Sequence, residues 1–449
     1  MNISSLIRGV LGLGLLLGIA FLFSNNRRRV SWRLVATGIL FQVTFAVFIL
    51  YSDTLKSWFA PLGWPKAVLS WLGGAIVSLL NFTAEGSKFV FGRLAVNSGP
   101  ESLGAFFAFQ VLPTIIFVAT LTSVLYYLGI LQLVVRGMAW IMAKLMGTSG
   151  AESLSNTANI FVGQTEAPLL IKPYISSMTR SEILTIMIGG MATIAGGVMA
   201  AYIQMLGQAL AEAQGIPLAE AQVRFAVQLL AASVMAAPAS LVIAKVLYPE
   251  TETPVTKGTV RLKVEKNASN VIEAAATGAG DGLHLALNVG AMLLAFIAGI
   301  AMLNYLLTGL GGLLGVNEFL KAQFGQPLSL QLILGVGLRY LALGIGVPAA
   351  DAFHFGSLFG TKVVLNEFVS YIDLVGLIKQ GVLSPKGVTM ATYALCGFAN
   401  FSSIAIQIGG IAPMAPDRKK DIASLGLKAV LGGALATLMT ATLAGILLG

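Results

Sequence analysis

Eight stretches of this chain are apolar over about 20 residues or more: 5–24, 31–51, 105–128, 181–205, 222–247, 283–307, 388–411 and 424–448. A helical run of that length matches a bilayer core of roughly 30 Å. Within that core each backbone polar group must be satisfied internally, which favours helices. Charged residues make up 10% of the chain, against about 25% in soluble domains, and the mean hydropathy is +0.85. The sequence therefore predicts an all-α polytopic membrane protein with about 8 transmembrane helices.

The net charge of +9 does not point to nucleic acid. Basic residues fall in short clusters between the apolar runs, at Asn25–Arg29, Lys257–Lys266 and Asp417–Lys420. That distribution marks cytoplasmic loops. It places the protein in the cell inner (plasma) membrane, as a multi-pass chain with N- and C-termini outside. The first run, Val10–Phe23, is read as a retained span and not a cleaved signal, since an arginine triplet follows it and no clear small-x-small site does. A single cysteine, Cys396, excludes an intramolecular disulfide, and with only His284 and His354 beside it no Cys/His zinc set can form.

The order of elements repeats. Residues 1–104 hold two spans and a Trp-rich piece suited to the membrane interface. A first repeat, 105–249, contains a span, a short amphipathic helix (about 133–147), a re-entrant hairpin with its tip at 163–168, a helix broken at 193–197 and a last span. A polar cytoplasmic connector, 250–282, leads to a second repeat, 283–449, with a short helix at about 328–345, a hairpin tip at 365–369 and a break at 397–403. Each repeat makes an odd number of crossings, so the two run in opposite senses. Inverted repeats with broken helices in matching positions point to a secondary transporter.

Glu166 and Glu367 occupy the same place in the two repeats. An acidic side chain at bilayer depth costs on the order of 3 kcal/mol and needs a partner or a wet cavity. The hairpin tips offer Gln164, Thr165, Glu166, Asn366 and Glu367. The breaks offer Thr193, carbonyls around Ile194, Asn400, Ser402 and Ser403. Rich in donors and acceptors but poor in fixed positive charge, the set suits a neutral, heavily hydrogen-bonding solute. A carboxylate can grip a vicinal diol, an amide beside a carboxylate can read a ring edge, and Phe398 can stack on a flat ring. The competing reading makes each carboxylate a buried structural group and Phe398 plain packing. His354 with Asp351 is read as a local cap, His284 with Asp281 as the start of a span on the inner face, and Asn317–Phe319 as interfacial.

Three motifs carry a family resemblance: GQTEAP at Gly163–Pro168, GTKVVLNEFVSY at Gly360–Tyr371 and CGFANFSSIAIQIGG at Cys396–Gly410. In order and spacing the chain resembles the concentrative nucleoside transporter family, of the bacterial, sodium-coupled type. The resemblance implies uptake of nucleosides such as uridine by sodium-coupled symport, and a homotrimer in which a mobile domain carries the site across the membrane in elevator fashion. It implies that the nucleobase meets Gln164, Thr165, Glu166, Val198 and Phe398, and that the ribose meets Glu367, Asn400 and Ser403. The coupling ion, sodium, is implied to sit against the Asn159 side chain, the Val162 carbonyl, Thr193 and the Ile194 carbonyl, with no organic cofactor. Thr193 departs from the serine often found there, but keeps the hydroxyl. The rivals are a proton-coupled nucleoside transporter, a transporter of another neutral polar solute, a channel, and an intramembrane enzyme using the two carboxylates; no nucleophile–base pair accompanies the last.

Overall fold

The computed structural model describes residues 3–96, 102–104, 106–258 and 268–447. Most of the basic Lys257–Lys266 cluster lies outside them. Two helices open the chain, α1 (Ile3–Leu22) and α2 (Trp32–Leu50). The arginine triplet between them also closes a helix end: Arg27 donates to the Phe21 and Leu22 carbonyls at the C-terminus of α1, which no intrahelical N–H can reach. The next helix, α3 (Trp64–Phe91), is longer than the expected interfacial piece. Its 28 residues, about 42 Å, would by length and composition suffice to cross a membrane.

Besides three short helices of 4–7 residues (Ser52–Trp58, Phe107–Gln110 and Lys172–Ile175), the helices that follow are α4 (Leu112–Tyr127), α5 (Ile130–Met146), α6 (Gly150–Ala158), α7 (Arg180–Ala192), α8 (Gly196–Gln214), α9 (Leu218–Leu247) and α10 (Val271–Leu313), then α11 (Asn317–Phe324), α12 (Leu330–Gly344), α13 (Ala352–Val364), α14 (Glu367–Lys379), α15 (Pro385–Leu395), α16 (Ser402–Ile411) and α17 (Lys419–Leu447). Both ends of α3 are tied to one side of the molecule. Ser52, just past α2, donates to the Gly63 carbonyl ahead of α3, and Gln110, just ahead of α4, donates to the Leu94 carbonyl beyond its end. Gln42 of α2 donates to Met235 of α9, and Gln204 of α8 donates to the Gln110 carbonyl. With Gly38 against Val242 and Gly197 against Ile115 as well, α2 runs and α4 begins toward the side on which α8 turns into α9. Despite its length, α3 joins two crossings on the same side.

The hairpins enter from opposite ends. At one end, Ser181 at the start of α7 donates to the Tyr248 carbonyl past α9 (2.7 Å), and Arg180 pairs with Asp421 of α17 (3.3 Å). With Arg27–Arg29, Lys245 and Arg418 this is the basic end. At the other, Lys386 of α15 reaches Ser5 of α1 (3.4 Å), and Ser384 is held by Asp351 ahead of α13. Gly9 of α1 packs against Ile446 of α17, so the two chain ends share that face.

Three boundaries differ from expectation. The connector gives way to helix at Val271, twelve residues before 283, so Asp281 and His284 lie within α10 and do not begin it. The first hairpin leg stops at Ala158, and its return is a 3-10 turn, Ala167–Ile171. In the second hairpin Glu367 already belongs to α14. The longest helix, α10, has 43 residues, and its stretch 278–290 packs along the 16 residues of α4. A Cβ on Gly282 would come within 2.7 Å of the Ile116 Cα, the close small-residue packing that membrane helices use in place of a hydrophobic drive.

Candidate substrate and cation site

The first hairpin is anchored at its base. Ser149 and Glu152 form a capping box on α6, as Thr179 and Glu182 do on α7. Ser149 Oγ also donates to Glu182 (2.5 Å), joining the two boxes. Lys245 of α9 pairs with Glu152 (2.7 Å) and Glu250 (3.3 Å). At the tip, Gly190 of α7 leaves room for the turn: a Cβ there would lie 2.8 Å from that of Gln164. Gln164 Nε2 donates to Ser403 Oγ (3.2 Å), and Gln407 Nε2 donates to Gln164 Oε1 (3.1 Å). The first hairpin tip is therefore bonded directly to the second repeat's broken helix.

The second tip is built differently. Asn366 caps α14 by accepting from the Val369 N–H (2.9 Å). Glu367, 5% exposed, accepts from Tyr202 Oη and from Asn400 Nδ2, each at 3.0 Å. Asn400 in turn accepts from Ser402 Oγ (2.7 Å) and the Ser403 N–H (2.9 Å). Two donors and the start of α14 are thus aimed at one buried carboxylate. The two breaks touch: the Phe398 N–H donates to the Thr193 carbonyl (3.3 Å). Gly397 permits that approach, since a Cβ there would sit 2.8 Å from the Met191 carbonyl.

Between tips and breaks lies a cavity of ≈ 150 Å³. Gln164, Thr165, Glu166, Val198, Glu367, Phe398, Asn400 and Ser403 all line it. A second cavity of ≈ 320 Å³ shares Gly163, Glu166, Ala195 and Leu285 with the first and reaches Tyr127 and Ala274. Ser123 of α4 donates to the Ala274 carbonyl (2.8 Å) at the basic end, so the combined space extends that way. Glu166 is exposed within it rather than enclosed. Toward the opposite end, the rings of Phe107, Phe368, Tyr202 and Tyr371 pack with centroids 5.4, 5.0 and 4.2 Å apart in succession.

Sequence reasoning missed Tyr202, Gln407, and the α10 face of Leu285, Val289, Met292 and Leu293 that forms one cavity wall. Gln407 carried a signal, a lone amide within the apolar run IAIQIGG. Tyr202 and the α10 face carried none, because they act only through helix packing.

The expected cation ligands gather at the C-terminal ends of α6 and α7, where carbonyl dipoles favour a cation. Asn159 is fully buried, and its Oδ1 has no hydrogen-bond partner among the described residues. Thr193 is 2% exposed and donates its proton to the Gly189 carbonyl (2.9 Å), which leaves its oxygen lone pairs available. A Cβ on Gly196 would lie 3.2 Å from the Phe161 carbonyl, so the hairpin end and the break are neighbours. A set made only of oxygens fits a hard cation.

Three family models match the chain: "Na+ dependent nucleoside transporter N-terminus" over residues 11–94, "Nucleoside recognition" over 108–209 and "Na+ dependent nucleoside transporter C-terminus" over 228–445. The nucleoside permease NupC of Helicobacter pylori is 43% identical, covering 98% of this chain and 97% of its own. Sodium/nucleoside cotransporter 1 of Mus musculus is 39% identical over 97% of this chain and 63% of its own. The structure of CNTnw in an inward-facing substrate-bound state matches with a TM-score of 0.83 at 41% identity, over 99% of this chain and 98% of that one. A CNTnw variant in an outward-facing state gives 0.85 at 40% identity, over 100% and 99%.

Proposed function

This chain belongs to the Na+ dependent nucleoside transporter family, and from that premise we propose that it takes up nucleosides by sodium-coupled symport. Its relatives are transporters, not enzymes. The observation that carries the reading is the convergence of eight residues on one cavity, drawn from both hairpin tips, the second helix break and, at Val198, the helix that follows the first break. Glu367 and Asn400, with Ser403, hold the ribose hydroxyls. Gln164, Thr165 and Glu166 read the base edge, with Phe398 and Val198 against its faces.

Sodium is carried as co-substrate by Asn159, Thr193 and the Val162 and Ile194 carbonyls. Asn159 ends the hairpin leg whose tip bears Gln164, so ion binding orders the base-reading side. Ion and nucleoside then raise each other's affinity by the same factor. The hairpins and broken helices carry the site past a frame of α4 and α10, elevator fashion, with the aromatic stack closed on one side and the larger cavity open on the other. The protein is a homotrimer in the inner membrane, with its basic end in the cytoplasm and both termini outside. Neighbouring copies or lipid cover the apolar surface of α10, where Leu294, Tyr305 and Leu313 are 75%, 80% and 88% exposed.

The test is uptake of radiolabelled uridine into proteoliposomes under an inward sodium gradient, against matched potassium, at fixed pH. Saturable uptake only with sodium, competed by other nucleosides, is expected. Uptake driven by a pH gradient instead would replace the ion and keep the substrate. No uptake of any nucleoside by folded protein would leave a transporter of another neutral solute.

A further inference from the structure

The two repeats match element by element: α6 with α13 as first hairpin legs, α7 with α15 as first half-helices, α9 with α17 as closing helices. The proposed cation set lies at the C-terminal ends of α6 and α7. At the corresponding ends of α13 and α15 the chain places Lys362, which is 0% exposed. Its Nζ donates to the Ala394 carbonyl in the last turn of α15 (2.8 Å) and to Thr437 Oγ of α17 (3.0 Å). A second carbonyl of that turn, Thr392, accepts from Tyr371 Oη (2.9 Å). None of the ion pairs among the described residues involves Lys362. A buried ammonium without a carboxylate partner is costly; it is compensated here by two oxygens that would serve a small hard cation equally, the Ala394 carbonyl at a helix end and the Thr437 hydroxyl, beside the Phe359 ring (5.6 Å).

We propose that Lys362 is a tethered cation, occupying in the second repeat the place that a free cation takes in the first. It locks α13 to the end of α15, just before the break that presents Asn400 to Glu367. The ribose half of the site is thereby fixed by the chain itself, as its closed Tyr202–Glu367–Asn400–Ser403 series reflects. Only the base-reading half requires an ion from solution, so transport moves one cation per nucleoside. The inference rests on the proposed symport but not on which cation is carried. Lys362 is a positioning residue, since it does not line the cavity.

Reversal potentials of uridine-dependent currents in proteoliposomes of the wild-type protein count the charges moved per uridine. One is expected, and two would overturn the proposal. Current that follows a proton gradient, still at one charge per uridine, would remove the sodium reading and uphold this one. Lys362→Gln replaces the ammonium by a neutral group that offers an oxygen ligand. Its uridine affinity at fixed sodium is expected to fall about tenfold or more, with sodium dependence steepening from first order towards second. Affinity within about twofold of wild type, or unchanged first-order sodium dependence, would overturn the assignment. If the variant fails to fold, the wild-type charge count still decides.

Discussion

Glu367 makes the heaviest demand on its surroundings of any residue lining the cavity. A carboxylate at membrane depth costs on the order of 3 kcal/mol, and Tyr202 and Asn400 offset that cost with two hydrogen bonds at 3.0 Å. Hydrogen bonds to a charged group contribute about 1.5–3 kcal/mol each. Glu367→Gln should therefore weaken uridine binding by about tenfold to a hundredfold, while sodium-induced stabilisation, read as a shift in melting temperature, stays near wild type. Equal loss of both would argue against a ribose role. Asn159 is the complementary case, with a buried oxygen that nothing among the described residues satisfies. Asn159→Ala should raise the sodium concentration for half-maximal uptake by about tenfold, with uridine affinity recovering at saturating sodium. If uridine affinity stays low however much sodium is added, Asn159 touches substrate instead.

At the scale of elements, the half-helices are held by their ends. The two capping boxes at the basic end are tied together by Ser149 and Glu182, and Lys245 closes the group from α9 at 5% exposure. Lys245→Met would leave Glu152, 1% exposed, without its ion pair. Removing one partner of a buried pair costs about 3–5 kcal/mol, so a clear drop in melting temperature is expected in detergent. Lys245→Met combined with Glu152→Gln should regain part of it, because the unpaired charge is gone. If the single variant melts like wild type, the cluster contributes no net stability. These devices were partly legible in the sequence: TSGAE and TRSE each put a hydroxyl three residues ahead of a glutamate. The stop of α6 at Ala158 was not, since Asn159 turns its amide back to the Ser155 carbonyl (3.0 Å), a local choice that apolar patterning does not encode.

For the molecule as a whole, access to the site is asymmetric, with the aromatic stack on one side and the larger cavity on the other. Thr122 of α4 lines that cavity, and the single native cysteine is buried. A Thr122→Cys protein should react with a membrane-impermeant maleimide in inside-out vesicles and much more slowly in right-side-out ones. The reverse pattern would invert the proposed orientation. The sequence by itself determined the membrane class, the inverted order of elements and the polar residues that come to line the cavity. Apolar length, charge clusters and helix breakers act locally, so they are written along the chain. Only the tertiary structure decided which partners those residues meet. Tyr202 reaches Glu367 across 165 positions, and Gln407 reaches Gln164 across 243. The wall supplied by α10 and the contact between the two breaks likewise depend on how separate helices pack, and packing at such separations leaves no periodicity in the chain to be read.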